Sequence, residues 1–316
     1  MQNNETLREL KNEVEIIGTL KSKELEMRTS KRTGKEFVTG KLVVLVETKG
    51  KLHEIPVSIF AMKSSKLFKG IQTVSEEYKS IEDVGKDNAT RLKVTGNLTL
   101  NEYQNKDGKL IQFNEVQGVF YNRIEDQTIE DKAIADIEVV IDGFEDIMDS
   151  DQLPTGTKKV KGFTVGWNNS IIELVKAEIG EELAEPMENL YSPGSTGRLT
   201  FQVNNFVEVE QQIVEQPSHG FGSTQTVEQV SKNYTNNIEI IGGDVPFLGT
   251  KEYTQEEIEK AKQVRQLKLQ ELSQPSPSTP PANTGFGQQP QTQQQLQTNE
   301  VATSPPTVSN DEMPDF

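Results

Sequence analysis

Apolar and polar residues alternate along the N-terminal part of the chain, with the period of two that is typical of β-strands. Turn-forming residues interrupt this alternation, above all Gly34 in a polar loop, Lys49-Gly50 and Asp107-Gly108, because such residues tolerate positive φ angles. The pattern predicts five strands, within residues 14–20, 37–46, 52–62, 92–100 and 110–121.

The order of these elements predicts the fold of a first domain, residues 1–127. Three strands are followed by an irregular connection, residues 63–84, in which residues 64–71 are a candidate helix, and then by a hairpin of two more strands. This is the order of an OB fold, a five-stranded and partly open Greek-key barrel. Such barrels bind oligonucleotides or oligosaccharides across strands 2 and 3 and the loops 1–2 and 4–5.

A weaker version of the same pattern predicts a second OB-like domain, residues 128–250. Between its third and fourth strands we expect a helix over residues 177–190, which Pro186 should end or kink. A segment rich in Gly, Ser and Gln, residues 211–233, is expected to be a long mobile loop. The expected strands are residues 137–144, 158–167, 170–175, 198–209 and 234–242.

The C-terminal region changes character twice. Thr254 and Glu257 have the spacing of a capping box and predict a helix over residues 254–272, whose modest apolar face packs on a barrel or mediates oligomerisation. Residues 273–316 contain eight Pro, eight Gln and no Lys or Arg, so they cannot bury enough apolar surface to order themselves. The predicted class is therefore mainly β, with two OB-fold-like five-stranded barrels, one C-terminal helix and a disordered tail.

Composition excludes several classes of site. The chain of 316 residues has no Cys, which excludes disulfides, thiolate metal sites and a Cys nucleophile. It has no apolar run of the ~20 residues that a membrane span needs and no signal-like N-terminus, so we expect a cytoplasmic protein, in the host cytoplasm if it is phage-encoded. No motif predicts a cofactor or a metal.

The net charge of −16 argues at first sight against a nucleic-acid partner, but the charge is unevenly distributed. Residues 1–127 carry 21 Lys+Arg and 19 Asp+Glu, a net charge of +2, whereas residues 128–272 carry 12 and 26, a net charge of −14. Only the first domain is therefore suited to binding phosphate.

The basic residues of the first domain cluster in the two loops that form the mouth of an OB-fold groove, and aromatic residues lie in or beside its strands. Such a combination is typical of proteins that bind single strands, in which cations contact phosphates and rings stack on bases. The cations predicted to contact DNA are Lys21, Lys23, Arg28, Lys31, Arg32, Lys35, Lys41, Lys63, Lys106 and Lys109. The rings predicted to stack on bases are Phe37, Phe60, Tyr103 and Phe113, with a core position as the alternative for Phe60.

Two features of the second domain admit two interpretations each. Lys158, Lys159 and Lys161 either extend the nucleic-acid path or are solvated strand residues. Trp167 precedes a turn and is either exposed, where it can stack on a base, or buried in the core.

The chain ends in an acidic tip with an apolar anchor, a combination that suits capture by a basic pocket with a hydrophobic floor. A basic OB domain, a linker rich in Gln and Pro, and this tip together resemble the bacterial and bacteriophage single-stranded DNA-binding proteins, most closely a phage type with two OB folds in one chain. The bacterial tip is typically a run of Asp followed by Ile-Pro-Phe, and here Asp315 is inserted before the last Phe. The tip, the predicted partner-binding site, is Asp311, Glu312, Met313, Pro314, Asp315 and Phe316.

The resemblance implies a noncatalytic protein that coats exposed single-stranded DNA during replication, recombination and repair. It also implies that the tip recruits protein partners such as a polymerase, helicase, primase or recombinase, and a homo-oligomer is compatible with it. Whether the tip fits a host or a phage partner stays open, because Asp315 departs from the bacterial pattern.

Two other functions compete with DNA binding. One is a scaffold or assembly protein, such as a phage structural component, which the acidic second domain favours. The other is a metal-dependent nuclease, suggested only by a run of carboxylates that is more typical of a solvated surface. These carboxylates are Asp142, Glu145, Asp146, Asp149 and Asp151.

Overall fold

The first barrel is a closed ring of five strands. In the computed structural model, which describes residues 6–217 and 224–273 and side chains outside 210–230, the strands are hydrogen-bonded in the order β1-β2-β3-β5-β4-β1. All pairs are antiparallel except β3–β5, in which Val57 lies beside Val116. This is the predicted OB topology. The strands are β1 (Asn12–Thr29), β2 (Glu36–Thr48), β3 (Lys51–Met62), β4 (Arg91–Gln104) and β5 (Leu110–Arg123).

Strand β1 is much longer than the alternation predicts. Its first half follows the pattern, with Val14, Ile16 and Leu20 fully buried. Beyond Leu20 the strand contains mostly polar residues, and it continues because it pairs with β2 as far as Thr29. Gly40 makes this pairing possible, since a Cβ there would lie 1.9 Å from the carbonyl oxygen of Glu24.

The connection between β3 and β4 contains two helices, α1 (Phe68–Glu77) and α2 (Ile81–Val84). Helix α1 starts four residues later than the candidate helix, residues 64–71, because Ser65 is in a turn whose hydroxyl accepts the N–H of Leu67 at 3.2 Å.

The second barrel repeats the topology of the first, in the order β6-β7-β9-β11-β10-β6. Its third strand is split into two short pieces, β8 and β9, and helix α3 (Glu181–Leu190) connects them to β10. The prediction of a second OB-like barrel is confirmed. Its strands are β6 (Lys132–Met148), β7 (Pro154–Gly166), β8 (Ser170–Glu173), β9 (Ala177–Ile179), β10 (Thr196–Pro217) and β11 (Thr224–Gly243).

Two predictions for this barrel were wrong. Residues 177–179 form a strand parallel to β11 instead of the start of a helix, because Ala177 and Ile179 alternate into the core. Pro186 does not end helix α3, which continues to Leu190 although proline removes one backbone donor, and a kink at Pro186 stays a prediction.

The expected mobile loop, residues 211–233, was also predicted wrongly. Its described backbone extends the β10–β11 hairpin, with paired positions from Gln211 and Val230 to Pro217 and Thr224. Backbone hydrogen bonds hold such a ribbon without a buried face, so its sequence carries little alternation. Residues 218–223 lie outside the described residues.

Strand β1 belongs to both barrels. Its residues 12–17 pair with β6 on one edge, and its residues 14–19 pair with β4 on the other. All the strands therefore form one continuous sheet. The barrels and the C-terminal helix lie in one compact unit, residues 1–274, and the domain limits at 127 and 250 stay a prediction.

The barrels also meet where β3 contacts β10. The side-chain amide of Asn205 donates to the carbonyl of Glu54 at 2.9 Å, and its backbone N–H donates to Nδ1 of buried His53 at 3.4 Å. Burial, helped by the charges of Lys51 and Lys49, lowers the pKa of His53, so the ring is neutral and Nδ1 is free to accept this bond.

The predicted C-terminal helix is α4 (Gln255–Ser273). Its capping box forms as expected, with the N–H of Thr254 donating to Glu257 at 2.8 Å and the N–H of Glu257 donating to the Thr254 hydroxyl at 3.2 Å. Ile258 and Ala261 are buried in a cluster with residues of the second barrel, so the apolar face packs on that barrel. Among the described residues, no helix is long and apolar enough to cross a membrane.

A buried ion cluster fastens α4 to both barrels. The guanidinium of Arg265 lies 2.7 Å from Glu102 of β4 and 2.7 Å from Glu173 of β8, and Lys268 lies 2.7 Å from Glu102. The side chains of Arg265 and Glu102 are only 5% and 4% exposed. Burial alone would raise the pKa of Glu102, but the hydrogen bonds and charges of Arg265 and Lys268 outweigh it and lower the pKa from 4.5 to about 2.

We expect this cluster to govern acid stability. The pKa of Glu102 is lower in the folded than in the unfolded chain, so its ionised form stabilises the fold above pH 4.5, and this contribution is lost as the pH falls towards 2. Glu102→Gln should lower the free energy of unfolding at pH 7 by about 1–3 kcal/mol and flatten its pH dependence in that window, as measured by urea denaturation at a series of pH values. Glu185→Gln, on exposed α3, is the control. A variant that keeps the wild-type pH profile would contradict this assignment.

Candidate nucleic-acid interface

The outward face of strands β2 and β3 is a continuous surface whose composition follows from the strand register. Side chains that lie opposite one another share a face, so Thr39 lies beside Phe60 and Lys41 beside Ser58. Val38 and Leu42 point into the barrel and are buried. We call the outward-facing residues of these two strands the β2–β3 face.

Aromatic rings mark this face and the neighbouring hairpin. Phe37 and Phe60 form a pair with ring centroids 5.4 Å apart. Phe60 is 48% exposed, so the core alternative for this residue is wrong. Tyr103 and Phe113, 48% and 36% exposed, lie on one face of the β4–β5 hairpin, because Asn101 is paired with Phe113 and Tyr103 with Ile111. Stacking on bases stays a prediction for all four rings.

The two basic loops adjoin different strands of the first barrel, and that they form one mouth stays a prediction. The loop 30–35 precedes β2 and therefore adjoins the end of β3 at Met62. The loop 105–109 connects β4 to β5, and β5 pairs with β3 only at Val57 and Ser58. The cations of the loop 30–35 therefore lie at the Met62 end of the β2–β3 face.

Six of the ten predicted cations are exposed and make no ion pair within the part of the chain that the structure describes. An ammonium or guanidinium without a carboxylate partner can bind a phosphate without first breaking an ion pair. These residues are Lys31, Arg32, Lys35, Lys41, Lys106 and Lys109.

The other four cations have partners in the fold. Lys21 lies 2.6 Å from Glu54, Arg28 lies 2.7 Å from Glu26 of its own strand, and Lys63 lies 2.7 Å from Glu36. Such exposed ion pairs are weak, so a phosphate can replace the carboxylate partner of each of these three cations.

Lys23 is different, because its partners are helix carbonyls. Its ammonium donates to the carbonyls of Val74, Ser75 and Tyr78 at 3.3, 2.7 and 2.5 Å, at the C-terminal end of α1. It is paired with buried Leu42, so it points to the side of the sheet opposite the β2–β3 face. Lys23 therefore satisfies the carbonyls at the C-terminal end of α1, and its place in the sequence does not indicate this role.

The face also contains acidic residues on its β1 side. Glu24 lies opposite Lys41, and Glu26 lies opposite Thr39. The exposed, unpaired cations therefore lie on β2 and in the two loops, and the carboxylates of Glu24 and Glu26 lie on the β1 side.

The second-barrel candidates are now placed. Trp167 is 80% exposed on the turn between β7 and β8, so it is not a core residue. Lys158 pairs with Asp146 and Glu188, at 3.1 and 2.9 Å, and Lys161 pairs with Glu145. Both are therefore compensated strand residues, whereas Lys159 makes no ion pair with a described residue.

Four of the five carboxylates that suggested a nuclease are engaged in the fold. Glu145 and Asp146 are paired with the lysines of β7, Asp142 lies 2.7 Å from Lys262 of α4, and Asp149 accepts two backbone N–H groups in the turn before β7. Within residues 6–217 and 224–273, no group of three His or acidic side chains is arranged to hold a metal ion. The tip, residues 311–316, lies outside the described residues.

Comparison with known families adds an assignment to this geometry. A family model described as YorF matches residues 11–275, more than half of the chain. The chain belongs to the YorF family.

Solved structures give more distant similarities to the YorF-family chain. The wild-type single-stranded DNA binding protein from Thermus aquaticus is 14% identical with a TM-score of 0.46, over 78% of this chain and 98% of that one. The mitochondrial single-stranded DNA binding protein Rim1 from S. cerevisiae is 12% identical with a TM-score of 0.26, over 38% and 97%. A Plasmodium falciparum SSB complex with ssDNA is 12% identical with a TM-score of 0.26, over 39% and 100%. No curated protein matches.

Sequence patterns gave no sign of one feature next to the β2–β3 face of this YorF-family chain. A groove lies where the β2–β3 face meets the second barrel, and it is lined by Lys41 and Phe113 on one side and by Lys176, Asn205 and Asn236 on the other. The last three residues are far from the predicted loops in sequence. Only the packing of β3 on β10 brings them to the site.

The role of Lys23 can be tested by stability alone. Lys23→Met removes the charged donor at the end of α1, so we expect a loss of about 1–2 kcal/mol in the free energy of unfolding. Lys35→Met, in the exposed loop, is the matched control and should change it by less than about 0.5 kcal/mol. Urea denaturation followed by circular dichroism measures both variants, and equal stabilities would show that these hydrogen bonds contribute nothing.

Proposed function

We propose that this protein binds single-stranded DNA on the β2–β3 face of its first barrel, without catalysis and with little sequence preference. The observation that carries the proposal is a face that displays two adjoining rings and exposed, unpaired Lys41, with the unpaired cations of the loop 30–35 at its Met62 end. The cations would contact phosphates, and the rings would stack on bases.

The chemistry of the face favours a nucleic acid over the other common OB-fold ligand, an oligosaccharide. Sugars carry no charge that would use Lys31, Arg32, Lys35, Lys106 and Lys109, whereas phosphates do. The exposed rings favour a single strand, because in a duplex the bases are already stacked on one another. Since every base has a flat face, stacking gives affinity without reading sequence.

Neutralising the loop cations tests the proposal. A variant with Lys31, Arg32, Lys35, Lys106 and Lys109 all changed to Gln should lose most of its affinity for oligo(dT) in dilute buffer. With about five phosphates neutralised, the wild-type protein should show a slope of log affinity against log salt of about −3.5, and the variant a much shallower slope, because few cations such as Lys41 remain. Fluorescence anisotropy of labelled oligo(dT) at several salt concentrations measures both.

The control for this experiment is Lys23→Met, which removes a cation that faces α1. It should keep the wild-type salt slope. If the five-residue variant binds as tightly as the wild-type protein in dilute buffer, the DNA site is not on this face.

We further propose, from the resemblance of the chain ends, that residues 311–316 recruit partners to coated DNA in replication, recombination and repair. Acidic residues followed by Pro and a terminal Phe suit a basic pocket with an apolar floor. The acidic tip would also weaken DNA binding by competing for the same cations.

Deleting residues 311–316 should therefore leave the affinity for oligo(dT) equal or higher while abolishing the capture of partner proteins. Anisotropy measures the first, and co-purification with tagged full-length and shortened chains measures the second. A large loss of DNA affinity on deletion would contradict this role for the tip.

The acidic second barrel supports one other candidate, an OB-fold scaffold that binds proteins and not DNA. Residues 128–272 have a net charge of −14, which suits assembly contacts better than phosphates. The absence of any gel shift with poly(dT) at low salt would favour this alternative.

A further inference from the structure

The groove between the two barrels is the feature that the β2–β3 face does not account for. It has a volume of about 400 Å³, within the range of ligand pockets. It lies at the end of the face where β3 packs on β10, next to Pro56 and Ser58. A strand that follows the face from the loop 30–35 past Phe60 and Lys41 reaches this groove.

The walls of the groove carry two lysines from different barrels. Lys41 of β2 and Lys176, between β8 and β9, are both exposed, and neither makes an ion pair with a residue that the structure describes. Lys176 is thus an uncompensated cation at the edge of an otherwise acidic barrel. Its position makes this edge of the second barrel suited to a phosphate.

The remaining wall residues suit the rest of a nucleotide. Phe113 presents a partly exposed ring, and Asn236 presents an exposed amide that makes no hydrogen bond to a described residue. Glu115 contributes a carboxylate that would repel a phosphate but accept a hydrogen bond from an exocyclic amino group of a base. A single strand satisfies all of these groups when its phosphates lie at the two lysines. Its bases then face the ring of Phe113, the amide of Asn236 and the carboxylate of Glu115.

We infer that the groove is a second segment of the nucleic-acid path, in which the second barrel contributes Lys176 and Asn236 to the binding of the same strand. The inference rests on the proposed function of the β2–β3 face. It implies that a long oligonucleotide uses both barrels, whereas a short one is held by the first barrel alone.

The test compares two lengths of oligo(dT), about 8 and about 30 nucleotides, since one OB fold covers about 4–16. Lys176→Glu should lower the affinity for the long oligonucleotide about tenfold and make its salt slope shallower by about 0.7, the contribution of one phosphate. The affinity for the short oligonucleotide should stay within about twofold of the wild-type value, because the first barrel is unchanged.

Two companion variants separate a contact from a general effect of charge. Lys86→Glu makes the same charge change on the turn before β4, outside the groove, and should leave both lengths unaffected. Asn236→Ala keeps the net charge and should weaken the long oligonucleotide about threefold with no change in salt slope. Circular dichroism confirms that each variant is folded.

The outcomes distinguish this inference from the function on which it rests. If Lys176→Glu behaves like Lys86→Glu, or weakens both lengths equally, the groove is not part of the path, while loss of binding in the five-residue loop variant would still support the β2–β3 face. If the loop variant also binds normally, the proposed function itself fails.

Discussion

The structure depends on the double pairing of β1. Residues 14–17 of this strand are hydrogen-bonded on both edges, to β4 of the first barrel and to β6 of the second. Val14 and Ile16 are fully buried at this junction. The cores of both barrels are joined there, and the ion cluster of Arg265, Glu102 and Glu173 fastens the same barrels together through α4.

The fold was predictable wherever apolar and polar side chains alternate along a strand. It was not predictable where backbone hydrogen bonds alone determine the strand pairing. Five strands and the OB order followed from the first domain, because each strand there has one buried face. The second half of β1 and the β10–β11 ribbon lack such a face, so their pairing leaves little trace in the sequence. Pro186 failed as a stop signal because tertiary packing of Ala184 and Met187 offsets one missing hydrogen bond.

The sequence predicted the cations of the candidate site, but it did not predict which groups each cation contacts in the fold. Loop positions alone identified Lys31, Arg32 and Lys35 as exposed cations. Nothing in the local sequence distinguishes them from Lys23, whose ammonium ends a helix about fifty residues away in the chain. The sequence did not indicate Lys176 either. This residue belongs to the second barrel and lines the groove only because the first barrel packs beside it.

A continuous sheet also has a mechanical consequence. Domains joined by a flexible linker can reorient to suit a partner, but here the hydrogen bonds of β1 fix the angle between the barrels. Any ligand that spans both must bend to that fixed angle itself. Unpaired polynucleotide is supple enough to do so, whereas a stiff double helix is not.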